Sequence, residues 1–120
     1  MKFMTVDDSA TMRKIVGLAL TGAGHTFEEA ENGKLALEAL KGGGFDCILL
    51  DINMPEMNGI EFLKARSGQP AIAKIPVIVL TTQDEAPLRT EALGLGAIGF
   101  LVKPFQKEAL IATLKEKLGA

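Results

Sequence analysis

Short apolar runs alternate with longer stretches whose apolar residues recur at helical spacing, five times along the chain. The runs Phe3 to Val6, Thr26 to Ala30, Phe45 to Leu50, Val77 to Leu80 and Gly99 to Val102 read as strands, the second being the weakest because it carries two glutamates. After the first run, Met12, Ile15, Val16, Ala19 and Leu20 repeat at helical spacing, with Asp8 and Ser9 as good caps. Ala36, Leu37 and Leu40 give a second helix, closed by Gly42-Gly43-Gly44. A third starts near Gly59 with Ile60 and Leu63, and a fourth near Ala86, where Pro87 suits the first turn and Gly94 and Gly96 lie near the end. Leu110, Ile111, Leu114 and Leu118 make the last helix amphipathic.

Five repeats of strand then helix predict an α/β fold, a doubly wound five-stranded parallel sheet with helices on both faces, because parallel strands need crossovers and crossovers cover faces. No linker or low-complexity tract follows, so residues 1–120 are expected to form a single domain with no effector domain attached. In such folds ligands bind outside the carboxyl ends of the strands.

At 120 residues and 48% apolar composition, the chain can bury roughly two-thirds of the surface its unfolded form exposes. A formal net charge of -2 with mixed signs offers no basic stripe for nucleic acid and no polybasic tail for anionic lipid. The only cysteine, Cys47, lies inside an apolar run and reads as a small buried hydrophobe, so no disulfide forms within the chain. The N-terminus lacks a signal-peptide pattern, and no apolar run approaches the roughly 20 residues of a membrane helix, which makes a cytoplasmic protein the expectation. The single histidine, His25, sits in a Gly-flanked loop and reads as exposed, in no setting for a phosphohistidine donor.

The strand ends carry the candidate chemistry. The first strand ends in Asp7-Asp8, the third in Asp51 ahead of a Pro/Gly turn, the fourth in Thr81-Thr82 and the fifth in Lys103-Pro104. Taken singly, Asp7 and Asp8 could cap a helix, Lys103 could be an ordinary solvated lysine, and Thr81 a β-branched strand end. Taken together, all lie on one edge of the sheet, where three carboxylates repel by ~1 kcal/mol per pair at about 4 Å even in bulk water. A cation is therefore wanted, and all-oxygen ligands favour a hard ion such as Mg2+, with a phosphoryl group as its further ligand.

Four motifs in order over essentially the whole chain resemble a response-regulator receiver domain. They are Val6-Asp7-Asp8-Ser9, Leu50-Asp51-Ile52-Asn53-Met54-Pro55 with Gly59, Val79-Leu80-Thr81, and Gly96-Ala97-Ile98-Gly99-Phe100-Leu101-Val102-Lys103-Pro104-Phe105. Asp8-Ser9-Ala10-Thr11-Met12-Arg13 and the Asn53-Met54-Pro55 run are most similar to the single-domain chemotaxis type. The resemblance implies the flavodoxin-like strand order 2-1-3-4-5, a cis bond at Lys103-Pro104, and a switch of a two-component system. Asp51 would accept a phosphoryl group from a phosphohistidine of a sensor histidine kinase. Asp8 and Asp51, with the Asn53 backbone carbonyl, would hold Mg2+, and Asp7 would act directly or through water. Lys103 would pair with a phosphoryl oxygen, and Thr81 would hydrogen-bond the phosphoryl group. Phe100 would then rotate inward and reshape the face of the fourth helix, fifth strand and fifth helix. The implied partner is a downstream protein such as the flagellar motor switch, bound by a monomer. A phosphorelay intermediate or kinase regulator outside chemotaxis is the alternative.

Departures from the family pattern carry their own expectations. Phe100 stands where chemotaxis receivers often have tyrosine, so a hydroxyl contact to a partner is absent. Thr82 has a branched side chain where a smaller residue is common, which would narrow access to Asp51 and slow phosphorylation by small donors. Asn53 and Gln83 would flank the phosphoryl site with amides that orient an attacking water. An aspartyl-phosphate hydrolase usually needs a second acid two residues after its nucleophile, where this chain has Asn53. A flavodoxin-like electron carrier needs a phosphate cradle after the first strand, where Asp7-Asp8 would repel the flavin phosphate.

Overall fold

The computed structural model describes residues 1–82 and 86–119. The chain runs β1 (Lys2–Val6), α1 (Ala10–Gly22), β2 (Thr26–Ala30), α2 (Gly33–Leu40), β3 (Cys47–Leu50), α3 (Gly59–Ser67), β4 (Val77–Thr81), α4 (Ala86–Gly94), β5 (Ala97–Val102) and α5 (Lys107–Leu118). All strand pairs are parallel, in the order β2-β1-β3-β4-β5. The peptide bond between Lys103 and Pro104 is cis.

Period-two alternation divides the sheet between two cores. Phe3, Cys47, Leu49, Ile78 and Leu80 pack with Val16, Leu20, Leu110 and Leu114 under α1 and α5. Met4, Val6, Ile48, Leu50, Val77 and Val79 face the other way, against Leu37, Phe62, Leu63 and Ala92 of α2, α3 and α4. Because β1, β3 and β4 are covered on both faces, they are buried almost throughout and mostly apolar, Thr5 and Thr81 being the buried polar exceptions. β2 lies at the edge, which is why its glutamates are tolerated: Glu28 and Glu29 are both exposed.

The predicted helix starts are met by specific caps. Ser9 accepts a bond from the Met12 N–H, Asn32 from Leu35, and Asn58 with Glu61 forms a reciprocal capping box for α3. Asp8 does not cap α1; Ser9 takes that position alone. Four strand boundaries differ from the sequence reading: β1 begins one residue early, at Lys2, and three others shift as well. β3 begins at Cys47 rather than Phe45, because the Asp46 carboxylate turns out to accept the Lys2 N–H. β5 begins two residues early, at Ala97, and β4 runs on to Thr81. His25 is half-buried rather than freely exposed, its ring edge-on to Phe3 with centroids 5.1 Å apart. Burial and the neighbouring N-terminal ammonium hold its pKa below the ordinary value. Cys47 is buried as expected, its thiol pushed up to about 12 chiefly by burial.

Candidate functional site

The carboxyl ends of β1, β3 and β4, with the segment following β5, bring the predicted site residues to one edge of the sheet. β1 places Val6 beside Leu50 of β3, so the next residues, Asp7 and Asp51, leave adjacent parallel strands side by side. The Asp51 N–H donates to the Val6 carbonyl at 2.9 Å, which continues the ladder one step beyond the strands. Carboxylate oxygens of Asp7, Asp8 and Asp51 lie within 4.8 Å of one another. Asp7 and Asp51 are buried while Asp8 is exposed, so the cluster has a closed floor and one open side.

Lys103 joins this cluster from β5's far end. Its Nζ lies 2.5 Å from Asp7 Oδ2 and 3.6 Å from Asp51 Oδ2, with only 8% of its side chain exposed. The reading of Lys103 as an ordinary solvated lysine is thereby excluded. The Thr81 hydroxyl, fully buried at the end of β4, donates to the Asp51 carboxylate. Asp51 also accepts the Ile52 N–H at 2.8 Å through Oδ1. Burial nevertheless raises the Asp51 pKa; the Lys103 ammonium opposes this, the Asp7 carboxylate adds to it, and the two hydrogen bonds favour the charged form.

The loop after Asp51 is shaped by close approach. Gly59 donates its N–H to the Ile52 carbonyl at 2.8 Å, and a Cβ there would stand 2.6 Å from the Asp51 carbonyl oxygen and 2.7 Å from the Ile52 Cα. Only glycine lets the start of α3 sit this near the site. Glu56 turns the chain at φ 67°, and the Met57 N–H closes the turn on the Pro55 carbonyl. Asn53 is exposed on this loop, two residues past Asp51.

Phe100 is not in the acidic pocket. It pairs with Val79 on β4, two residues before the pairing of Thr81 with Val102, so it shares a strand pair with Thr81 without touching the carboxylates. Its ring is half-buried and lies under the Arg89 guanidinium, 4.7 Å from its centroid. Thr82 is exposed beside Thr81, and Gln83 lies outside the described residues. Sequence reasoning assigned no role to Arg13, whose guanidinium donates to the Asp7 carbonyl and pairs with Glu29. Its place one turn into a helix that begins beside Asp7 was the available sign.

The donor set fits a hard divalent cation. It is made of oxygens, carries an excess of negative charge over its single lysine, and is open to water at Asp8. Among the described residues no helix is long and apolar enough to cross a membrane.

Residues 3–115 match the family described as the response regulator receiver domain. The chain is 41% identical over 119 residues to the chemotaxis protein CheY-3 of Vibrio cholerae, covering 98% of this chain and 88% of that protein. It is 34% identical over 113 residues to the transcriptional regulatory protein FixJ of Bradyrhizobium diazoefficiens, covering 94% of this chain and 54% of FixJ. The solved structure of Vibrio cholerae chemotaxis protein CheY4 superposes with a TM-score of 0.92 at 40% identity, covering 98% of each chain.

Proposed function

We propose, for a chain that belongs to the response regulator receiver domain family, that it works as a single-domain phosphorylation switch whose state is written at Asp51 and read beside Phe100. The observation that carries this reading is the placement of the buried Lys103 ammonium between Asp7 and Asp51, with the Thr81 hydroxyl already on Asp51. An Asp51 carboxylate oxygen attacks the phosphorus of a phosphohistidine on a sensor histidine kinase, the phosphorus–nitrogen bond breaks, and the imidazole leaves. The product is an acyl phosphate on Asp51. Little covalent help from protein is needed, so the contribution of this chain is position and charge.

Each residue then has a role. Asp8 and Asp51, with the Asn53 backbone carbonyl, would hold Mg2+, and Asp7 would bind it directly or through water. When bound, the ion supplies positive charge against the phosphoryl oxygens. Lys103 places a compact ammonium where a phosphoryl oxygen would otherwise meet Asp7 and Asp51 unscreened. Thr81 donates to the phosphoryl group once it is present, and that displacement at the end of β4 leaves room for Phe100 to turn inward. Asn53, exposed two residues past Asp51, would orient a hydrolytic water through its amide.

The protein catalyses only its own phosphorylation and dephosphorylation, and its receiver domain acts in the cytoplasm as a monomer, with residues 1–120 folding as one unit. Its output partner is a protein that docks on α4, β5 and α5, and similarity to the Vibrio chemotaxis proteins supports the flagellar motor switch as that partner. The test is mass spectrometry after incubation with acetyl phosphate and Mg2+, with phosphoramidate as a second donor. Wild type is expected to gain one phosphoryl group and Asp51→Asn none. Failure of wild type with both donors would refute the reading.

A further inference from the structure

The structure points to Arg13 as a positioning residue for the acidic site, an inference that rests on the reading of that site as a Mg2+-dependent phosphoacceptor. The Asp7–Asp8 peptide bond joins two of the three carboxylates, and Arg13 holds its carbonyl oxygen at 2.7 Å. The same guanidinium is held in turn from β2, through Nε to Glu29 Oε1 at 3.0 Å. Its side chain is only 15% exposed. A planar fork that donates in two directions at once suits this task better than a lysine ammonium.

Asp7 itself is fixed at every polar group. Its N–H donates to the Ala30 carbonyl at 3.1 Å, Oδ1 accepts the Ser9 N–H at 2.9 Å, and Oδ2 accepts from Lys103. Asp8 is exposed at the end of the strand, so the direction of its carboxylate is inherited from the peptide plane ahead of it. Rotation of that plane would swing Asp8 away from Asp7 and Asp51. Arg13 opposes the rotation at the carbonyl oxygen of that plane, and Glu29 keeps Arg13 there.

Charge and position predict opposite signs, which makes the inference testable. Loss of a cation near three carboxylates would, through charge alone, tighten Mg2+ binding. Loss of a positioning contact would weaken it, as removal of outer supporting groups does in other metal sites. Mg2+ titration by calorimetry, on the full chain with no phosphodonor present, is expected to give about tenfold weaker binding for Arg13→Ala. Glu29→Gln should weaken it less, and the double variant should be no worse than Arg13→Ala, because Glu29 acts only through Arg13. Arg13→Lys should recover part of the loss, and the Asp8 and Ser9 amide resonances should shift in Arg13→Ala before any metal is added. Unchanged or tighter Mg2+ binding in Arg13→Ala, or a Glu29→Gln effect that simply adds to it, overturns the inference. Should Arg13→Ala not fold, Arg13→Gln carries the test, since it too removes the cation while keeping most of the stem that packs at this partly buried position. Wild type that binds Mg2+ and is phosphorylated while the variants match it defeats this inference alone; wild type that does neither defeats the functional reading as well.

Discussion

Replacing Lys103 by methionine removes the ammonium but keeps an unbranched stem, so the variant isolates charge from packing. Asp7 and Asp51 then face each other with oxygens no more than 4.8 Å apart. At an effective dielectric of about 20, two such charges repel by about 3.5 kcal/mol, and the variant forgoes the attraction that Lys103 exerts on both. Desolvation of the lysine, which wild type bears and the variant does not, offsets part of this. We expect Lys103→Met to lower stability by about 3 kcal/mol at pH 7.5 without divalent cations, within the range seen when one member of a buried ion pair is removed.

The sign of the pH dependence follows from linkage. Burial already raises the Asp51 pKa in wild type, and Lys103 is the chief group holding it down. Without Lys103 the folded pKa lies still higher above the unfolded value of about 3.9, so the folded state binds more protons than the unfolded. The penalty is therefore complete above the raised folded pKa and vanishes as pH falls below about 3.9. Urea unfolding at pH 7.5 and pH 3.5, with and without Mg2+, reads it directly. The deficit should be large only at pH 7.5 without metal, and Mg2+ should restore much of it by binding the folded state alone. An equal deficit at both pH values, unmoved by Mg2+, would mean that Lys103 acts through packing and would refute the electrostatic argument.

Two further outcomes follow from the same geometry. Asp51→Asn should raise stability in metal-free buffer at pH 7.5 by about 1 kcal/mol, because burial and Asp7 disfavour the charged form; the gain should shrink to nothing below about pH 3.9 and turn to a loss relative to wild type in Mg2+, as paired urea curves would reveal. Gly59→Ala places a methyl group against backbone atoms of Asp51 and Ile52 that cannot swing aside, so a cost of about 1–3 kcal/mol should outweigh any gain in helix propensity. It should also slow acetyl phosphate labelling, and a variant as stable as wild type would show that α3 shifts freely.

The elements were legible where burial is two-sided. β1, β3 and β4 are covered by helices on both faces, so composition alone marks them. β2 was the hardest strand to read because an edge strand needs apolar residues at few positions, and Glu28 and Glu29 instead pair with Lys2 and Arg13. The start of β5 was missed because Ile98 is exposed and Ala97 contributes little to an apolar run. His25 looked free because its contact, Phe3, is 22 positions away in the chain. The acidic cluster and the convergence of Lys103 on it were legible from strand ends alone, but the pairing of Lys103 with Asp7 in particular was not. β5 is three strands from β1 in the sheet order, about 14 Å at normal strand spacing. That gap is spanned by the segment after β5 and the length of a lysine, neither of which leaves a mark in local periodicity. Arg13 was missed for a related reason: its hydrogen bond runs to a backbone carbonyl, and a carbonyl has no residue type to read.

The energetics of the proposed switch place a demand on the output partner. Thr81 is tied to Asp51 and paired with Val102, two residues from Phe100, so a displacement at Asp51 reaches β5 through one rung of the sheet. A hydrogen bond from Thr81 to a charged phosphoryl group contributes roughly 1.5–3 kcal/mol, a factor of about 10 to 150 in an equilibrium, from which the bond it now gives the Asp51 carboxylate is subtracted. The Arg89 guanidinium over the Phe100 ring opposes inward rotation by only ~0.5–1 kcal/mol at an exposed site. Full reversal of a two-state element, from 1:99 to 99:1, needs about 5.5 kcal/mol. Under these roles the Thr81 contact shifts the population of the inward Phe100 state without completing the change, and a partner that binds only that state supplies the remainder. Linkage then requires the converse: such a partner stabilises the phosphorylated form by the same factor by which phosphorylation tightens its binding.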